Sequence, residues 1–169
     1  MDPGPTATVE GFCKIEVCYL VSYSKGVSNS FIGNGLAEIE EWDGPVEVYK
    51  YGNDLDELKL TGNTNKLYAS AYEIICSGCG LSELKVGFVG ELYCSKNNLR
   101  DLKVNCEYLK ILDCSNNNLC KCALNDLFES LHSKNSEFYE GKTVTITGNP
   151  GAADCDRTIA EKKGWTVIG

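Results

Sequence analysis

Basic residues are scarce in this chain. Lys and Arg number 16 against 24 Asp and Glu, which leaves a formal net charge of −8. Phosphate backbones and anionic lipid surfaces are held by clustered Lys and Arg, so the balance argues against nucleic acid and anionic membranes as partners. Histidine is scarcer still, with His132 the single copy. It falls near the end of a predicted helix, with no Ser or Cys nucleophile that the sequence places beside it. G-x-S-x-G, P-loop and HExxH motifs are missing, as is a G-x-G-x-x-G that opens a helix. Carboxylate pairs such as Glu40-Glu41 read as a solvated loop edge. No catalytic residue is assigned, and an enzyme is not expected. No run approaches the ~18 consecutive apolar residues of a membrane span, so no membrane insertion is expected. The segment Met1-Asp2-Pro3-Gly4-Pro5 has no basic n-region and no apolar h-region, so no secretory signal is visible.

Cysteine is abundant, with ten copies in 169 residues. That density invites a disulfide or metal reading. Cys76-x-x-Cys79 and Cys120-x-Cys122 are conceivable half-sites, and Cys13 and Cys18 are close enough in sequence to pair if their segment is a hairpin. The spacing of the cysteines favours another explanation. Leu109-x-x-Leu112-x-Cys114-x-x-Asn117-x-Leu119 recurs twenty residues earlier as Val89-x-x-Leu92-x-Cys94-x-x-Asn97-x-Leu99. Related copies are Leu55-x-x-Leu58-x-Leu60-x-x-Asn63, Ala71-x-x-Ile74-x-Cys76-x-x-Cys79-x-Leu81 and a degenerate Val144-x-Ile146-x-x-Asn149.

This spacing matches the leucine-rich-repeat template. Each copy is one strand and one turn that cannot bury its apolar side alone, so copies must stack. Cys76, Cys94 and Cys114 then replace a core Leu as an inward ladder. Cys122 aligns with Leu84 and Leu102 in another inward slot. Asn63, Asn97, Asn117 and Asn149 would form a second ladder, satisfying backbone groups at the bends. No metal and no cofactor is expected.

Strand centres near 58, 74, 92, 112 and 144 are 16, 18, 20 and 32 residues apart. The first three gaps are too short for an outer helix and predict extended or irregular segments. The last accommodates a helix over about 123–134, where Leu124, Leu127, Phe128 and Leu131 make one apolar stripe. A second helix is expected from Ala153 to Lys163, burying Cys155 and Ile159 and ending at Gly164. Trp165-Thr166-Val167-Ile168 reads as a closing strand after a right-handed crossover. Upstream, residues 7–23 predict a strand or hairpin, 24–36 a loop and 46–51 a strand. The expected fold is a β-rich α+β chain in two parts. Residues 1–54 form an N-terminal β cap or docking domain. Residues 55–169 form a short leucine-rich-repeat solenoid with a C-terminal helix-strand cap.

Between the inward positions lie outward rows. One reads Lys59, Ile75, Tyr93, Asp113, Thr145, and its neighbour Glu57, Glu73, Glu91, Ile111, Thr143. Ile75, Tyr93 and Ile111 would form an apolar and aromatic centre beside the Glu row, and Ile75, Tyr93, Glu91, Ile111 and Asp113 are the candidate binding residues. A third row, Thr61, Ser77, Ser95, Ser115 and Thr147, suits turn hydrogen bonds.

Leu92-Tyr93-Cys94-Ser95-Lys96-Asn97-Asn98-Leu99 and Leu112-Asp113-Cys114-Ser115-Asn116-Asn117-Asn118-Leu119 are similar to the L-x-C-S-x-N-x-L repeats of bacterial surface leucine-rich-repeat proteins, the internalin-like class. Thr147-Gly148-Asn149-Pro150-Gly151 through Cys155 to Gly164-Trp165-Thr166-Val167 resembles their terminal cap. Trp42-Asp43-Gly44 and Val48-Tyr49-Lys50-Tyr51-Gly52-Asn53 resemble the β-rich segment before such repeats. The resemblance covers about residues 42–169. It implies a non-enzymatic interaction protein at a bacterial surface, with a protein or glycan partner. The chain departs from that class in its few repeats and in lacking a visible signal. Two other settings account for the latter. One is a phage virion component, with residues 1–54 docking or oligomerising it, checked by mass spectrometry of purified particles. The other is a cytosolic partner-binding protein with reduced thiols.

Overall fold

Ile74, Leu92, Leu112 and Val144 are fully buried. Each lies between two half-exposed residues, the alternation of a strand with one face on a core. The computed structural model describes residues 66–134 and 140–169, together with strands at 12–15, 21–22, 36–40, 46–47 and 57–60.

The strands are β1 Phe12–Ile15, β2 Val21–Ser22, β3 Leu36–Glu40, β4 Val46–Glu47, β5 Glu57–Leu60, β6 Lys66–Ala69, β7 Glu73–Ile75, β8 Glu83–Val86, β9 Glu91–Tyr93, β10 Ile111–Asp113, β11 Thr143–Thr145 and β12 Thr166–Ile168. The helices among the described residues are α1 Lys121–Ser130 and α2 Thr158–Glu161. The protein is therefore α+β, with two sheets of chiefly parallel strands. One sheet has the order β1-β3-β5-β7-β9-β10-β11-β12 and the other β2-β4-β6-β8. From β1 to β9 the chain alternates between them, and afterwards every strand joins the first. Among the described strands, pairing is antiparallel for β1–β3 and β2–β4 and parallel elsewhere. β1 and β2 thus belong to different sheets, which corrects the hairpin reading of residues 7–23. The pairs β3–β5 and β4–β6 span residue 54, so strands on either side of it share both sheets.

Register is strict. Leu58, Ile74, Leu92, Leu112, Val144 and Val167 are successive partners across the first sheet. From Ile74 to Val144 this row is part of a core that also holds Leu81, Leu99, Leu109, Leu119, Leu124, Leu127 and Phe128. Full burial of each such side chain contributes about 1.5–3 kcal/mol. After β5 and after β7 the outer layer is strand, β6 and β8, within the extended or irregular range that the short spacings predict. It becomes the extended segment 101–104 and then α1 as the connections lengthen.

α1 is shifted from the expected 123–134. It begins after Cys120, whose Sγ accepts the Ala123 N–H at 3.5 Å. It ends where Leu131 turns extended and Lys163 Nζ donates to the carbonyls of Phe128 and Glu129, at 3.0 and 2.6 Å. A cation at a helix C-terminus satisfies orphan carbonyls and complements the dipole. The buried stripe is Ala123, Leu124, Leu127 and Phe128, so Cys122 points to solvent, contrary to the inward slot expected of it.

The helix expected over 153–163 contracts to α2. Residues 150–155 are taken by turns, because the Gly151 N–H bonds to Leu119 O and its α-carbon lies against the backbone of Cys120 and Lys121. Cys155 and Ile159 are half-buried against the core. Asp156 then accepts the N–H and hydroxyl of Thr158, at 3.1 and 2.7 Å, where the helix starts. Beyond it, Trp165 is buried, with Nε1 donating to His132 O at 2.9 Å.

Candidate functional site

The inward polar residues are fully engaged. Asn117 Nδ2 donates to Cys94 O, Cys114 O and Ser115 O, at 3.0, 3.1 and 3.3 Å, and its Oδ1 accepts the Leu99 N–H at 3.1 Å. Asn97 does the same one strand earlier, bonding Cys76 O, Cys94 O, Ser95 O and the Leu81 N–H. Asn149 repeats it one strand later with Cys114 O, Ile146 O and the Leu119 N–H. Each amide ties its own turn to the preceding one, with its donors and its oxygen both engaged by the backbone. Asn63 lies outside the described residues.

The residue before Cys79, Asn97, Asn117 and Asn149 is left-handed: Gly78, Lys96, Asn116 and Gly148, with φ of 74, 55, 53 and 76°. That turn aims the following side chain into the core.

Cys76, Cys94 and Cys114 are fully buried. Burial holds the Cys76 and Cys94 thiols far above their ordinary range and pushes Cys114 up to about 12, with the Asp113 carboxylate adding to it. Cys79 is pushed up to about 11 by burial. Such groups stay protonated and are poor nucleophiles or metal ligands. Among the described residues, no three His, Cys, Asp or Glu side chains converge as metal ligands would. Ser95 Oγ donates to Ser77 Oγ at 3.0 Å, which places part of the hydroxyl row in the turn network.

The outward rows are aligned by the same register. Ile75, Tyr93, Asp113 and Thr145 are successive partners, as are Glu73, Glu91, Ile111 and Thr143. All eight are half-buried. Tyr93 stands among carboxylates: its hydroxyl donates to Glu91 Oε2 at 2.9 Å. Its phenol is pushed up to about 12 by partial burial, the Glu91 bond and the charges of Glu91, Glu73 and Asp113. Asp113 Oδ1 also accepts the Ser115 N–H at 3.0 Å, which fixes its direction. The face can offer apolar contact and negative charge together.

No family model, no curated protein and no solved structure matches this chain.

Sequence reasoning missed several residues. Tyr72 is 40% exposed, and its ring overlies Gly90, where a Cβ would fall 2.5 Å from the ring. It borders the face one residue before Glu73. The available signal was the glycine that replaces a side chain in register with it. Phe88 and Tyr108 pack with centroids 5.2 Å apart and ring planes tilted by 55°, and Lys134 lies 5.9 Å over Tyr108. Cys106 Sγ donates to Val89 O at 3.1 Å and accepts the Val89 N–H at 3.2 Å, a buried thiol acting as a backbone partner. Lys142 is buried, with Nζ donating to Lys134 O and Lys163 O at 2.8 and 2.6 Å. Burial lowers its pKa. No helix among the described residues is long and apolar enough to cross a membrane.

Proposed function

We propose that this chain is a non-catalytic leucine-rich-repeat interaction module: a short solenoid closed by a helix-strand cap that binds a protein or glycan partner. Support for the solenoid comes from the recurring inward positions and from the Asn97, Asn117 and Asn149 amides, which join each turn to the one before. Stacked units of this kind contact only their neighbours and leave a continuous outward sheet.

One observation carries the functional reading. β7, β9 and β10 hold Ile75, Tyr93, Glu91, Ile111 and Asp113 side by side, half-exposed, while the interior consumes the residues that would otherwise suggest chemistry. An apolar centre with a polar border is the anatomy of a binding patch. The setting we propose is the surface of a cell or particle. Protease shaving of intact cells tests the first and mass spectrometry of purified particles the second. For the face itself, Tyr93→Ala should weaken partner binding at least about tenfold, the scale of an aromatic anchor, with the melting temperature nearly unchanged. Equal affinity of variant and wild type would remove this face as the binding surface.

A further inference from the structure

A strand in a parallel ladder turns the main-chain groups of alternate residues to opposite edges. On β8, the last strand of the four-stranded sheet, the Gly87 N–H bonds Ala69 O at 3.0 Å, and the register sets Val86 beside Ala69 and Leu84 beside Leu67. Glu83 and Lys85 therefore bond back to β6, while the N–H and C=O of Leu84 and Val86 face the other edge. Among the described residues no hydrogen bond is made to these four groups, although Leu84 is only 6% exposed. Main-chain groups so placed are ordinarily paired. The next coil repeats the sequence: Glu83-Leu84-Lys85-Val86 returns as Asp101-Leu102-Lys103-Val104. The second copy keeps the alternation, with Leu102 and Val104 buried and Asp101 and Lys103 exposed, yet it adds no strand to the sheet. Its Val104 N–H is taken instead by Ser130 Oγ of α1, at 3.0 Å. A cavity of about 640 Å³ opens here, lined by Glu83, Leu84 and Lys85 together with Asp101, Leu102 and Lys103. That volume is within the range of ligand sites.

We propose that this edge of β8 takes an extended segment of a partner polypeptide as an added strand, a docking surface separate from the outward face of the eight-stranded sheet. Donors and acceptors that alternate along a strand edge are matched by another peptide main chain, and an uncovered edge recruits one. A main chain repeats N–H and C=O at that spacing, and a saccharide does not. The inward side chain of the added strand meets Leu84 and Leu102 and is apolar. Its outward neighbours lie among Glu83, Asp101, Lys85 and Lys103, two carboxylates and two ammonium groups. Both signs are thus accommodated, and it is the main chain that selects the partner, not its net charge.

The experiment uses the full chain, 15N-labelled, with amide hydrogen exchange read by NMR. In the free chain Leu84 and Val86 should exchange at least about tenfold faster than Lys85 and Gly87, which are bonded to β6. Equal or slower exchange would deny the free edge and overturn the inference. The probe is a capped hexapeptide that copies Ser82 to Gly87, a strand of the alternation the site requires. At millimolar concentration it should slow exchange at Leu84 and Val86 at least about tenfold and shift the amides of residues 101–103. The same peptide, N-methylated at its copies of Glu83, Leu84, Lys85 and Val86, keeps the side chains but loses the donors, and should do neither. Equal protection by the methylated peptide would reduce the effect to side-chain contact. Protection of neither amide by the unmodified peptide would close the edge to an added strand. Each result overturns the inference, as does protection at Val167 in β12 without protection at Leu84. None of these outcomes bears on the face around Ile75 and Tyr93, which Tyr93→Ala tests by itself.

Discussion

The side-chain amide of Asn117 donates to the main-chain carbonyl of Cys94, 23 residues earlier, at 3.0 Å. The same group bonds Cys114 O within its own turn, so one buried side chain holds two successive strand-turn segments together. Asn117→Ala orphans the Leu99 N–H in a dry interior and removes one of two amide donors from each of these carbonyls, which keep Asn97 and Asn149. The expected cost is about 1–3 kcal/mol in urea unfolding, from one unsatisfied buried donor. Asn118→Ala, at the exposed neighbouring position, should stay within about 0.5 kcal/mol. A small loss for Asn117→Ala would mean that water replaces the amide.

Lys96 occupies the left-handed turn position that Gly78 and Gly148 fill elsewhere. A non-glycine residue there carries a steric penalty of about 1–2 kcal/mol, offset in part by the greater chain entropy of glycine. Lys96→Gly should therefore raise stability by up to about 1 kcal/mol, and Lys96→Ala should not. Thermal unfolding of the two variants beside wild type decides it. A stabilised alanine variant would trace the effect to charge instead of backbone.

Burial favours the neutral form of His132. Nδ1 accepts the Lys134 N–H at 3.1 Å, which leaves the proton on Nε2, 2.7 Å from Leu109 O. Burial lowers its pKa, and the positive charges of Lys142 and Lys134 lower it further. The Leu109 carbonyl and the Glu107 carboxylate oppose the shift. A folded pKa below the unfolded one means that the unfolded chain binds the proton first. The stabilisation is present above the unfolded value of about 6.5 and is lost as pH falls from there through the folded value. As the only histidine, its imidazole resonance can be followed alone by NMR, and its midpoint should lie below that of a denatured reference. His132→Gln should flatten the stability–pH curve as pH falls from the unfolded value of about 6.5. A midpoint at or above the reference would refute the neutral assignment.

The described cysteines divide by exposure. Cys120 and Cys122 are exposed, Cys155 is intermediate, and Cys76, Cys79, Cys94, Cys106 and Cys114 are buried. Under native conditions a thiol reagent should label Cys120 and Cys122 first and Cys155 more slowly, since burial raises its pKa. The buried five should react only on unfolding. Peptide mapping after timed quenching gives the order, and early labelling of Cys94 would contradict the closed interior.

Strand positions were legible in the sequence because inward residues recur at matched offsets: Ile74, Leu92, Leu112 and Val144 needed no tertiary information to be aligned. The rows Ile75–Tyr93–Asp113 and Glu73–Glu91–Ile111 followed from the same alternation, since parity along a strand fixes the side of each residue. Cys122 was misjudged because alignment carried a strand's parity into a segment that is helical, where the buried stripe follows a period of 3.6. The second helix was overextended because Gly151 packs on Cys120 and Lys121, a long-range contact that helix periodicity does not encode. Tyr72 and Lys142 escaped for a similar reason: Tyr72 is placed by Gly90, and Lys142 by the carbonyls of Lys134 and Lys163, contacts that no local period encodes.

The sequence by itself determined the spacing of the parallel strands, the polarity of each row and the excess of negative charge, because these depend on residue type and local period. Tertiary structure alone decided that the chain shuttles between two sheets up to β9 and that Lys163 closes α1. It also decided which register partners meet with like or opposite charge. Those outcomes depend on which segments lie side by side in space, and the physical terms that select them, packing and desolvation, act between residues far apart in the chain.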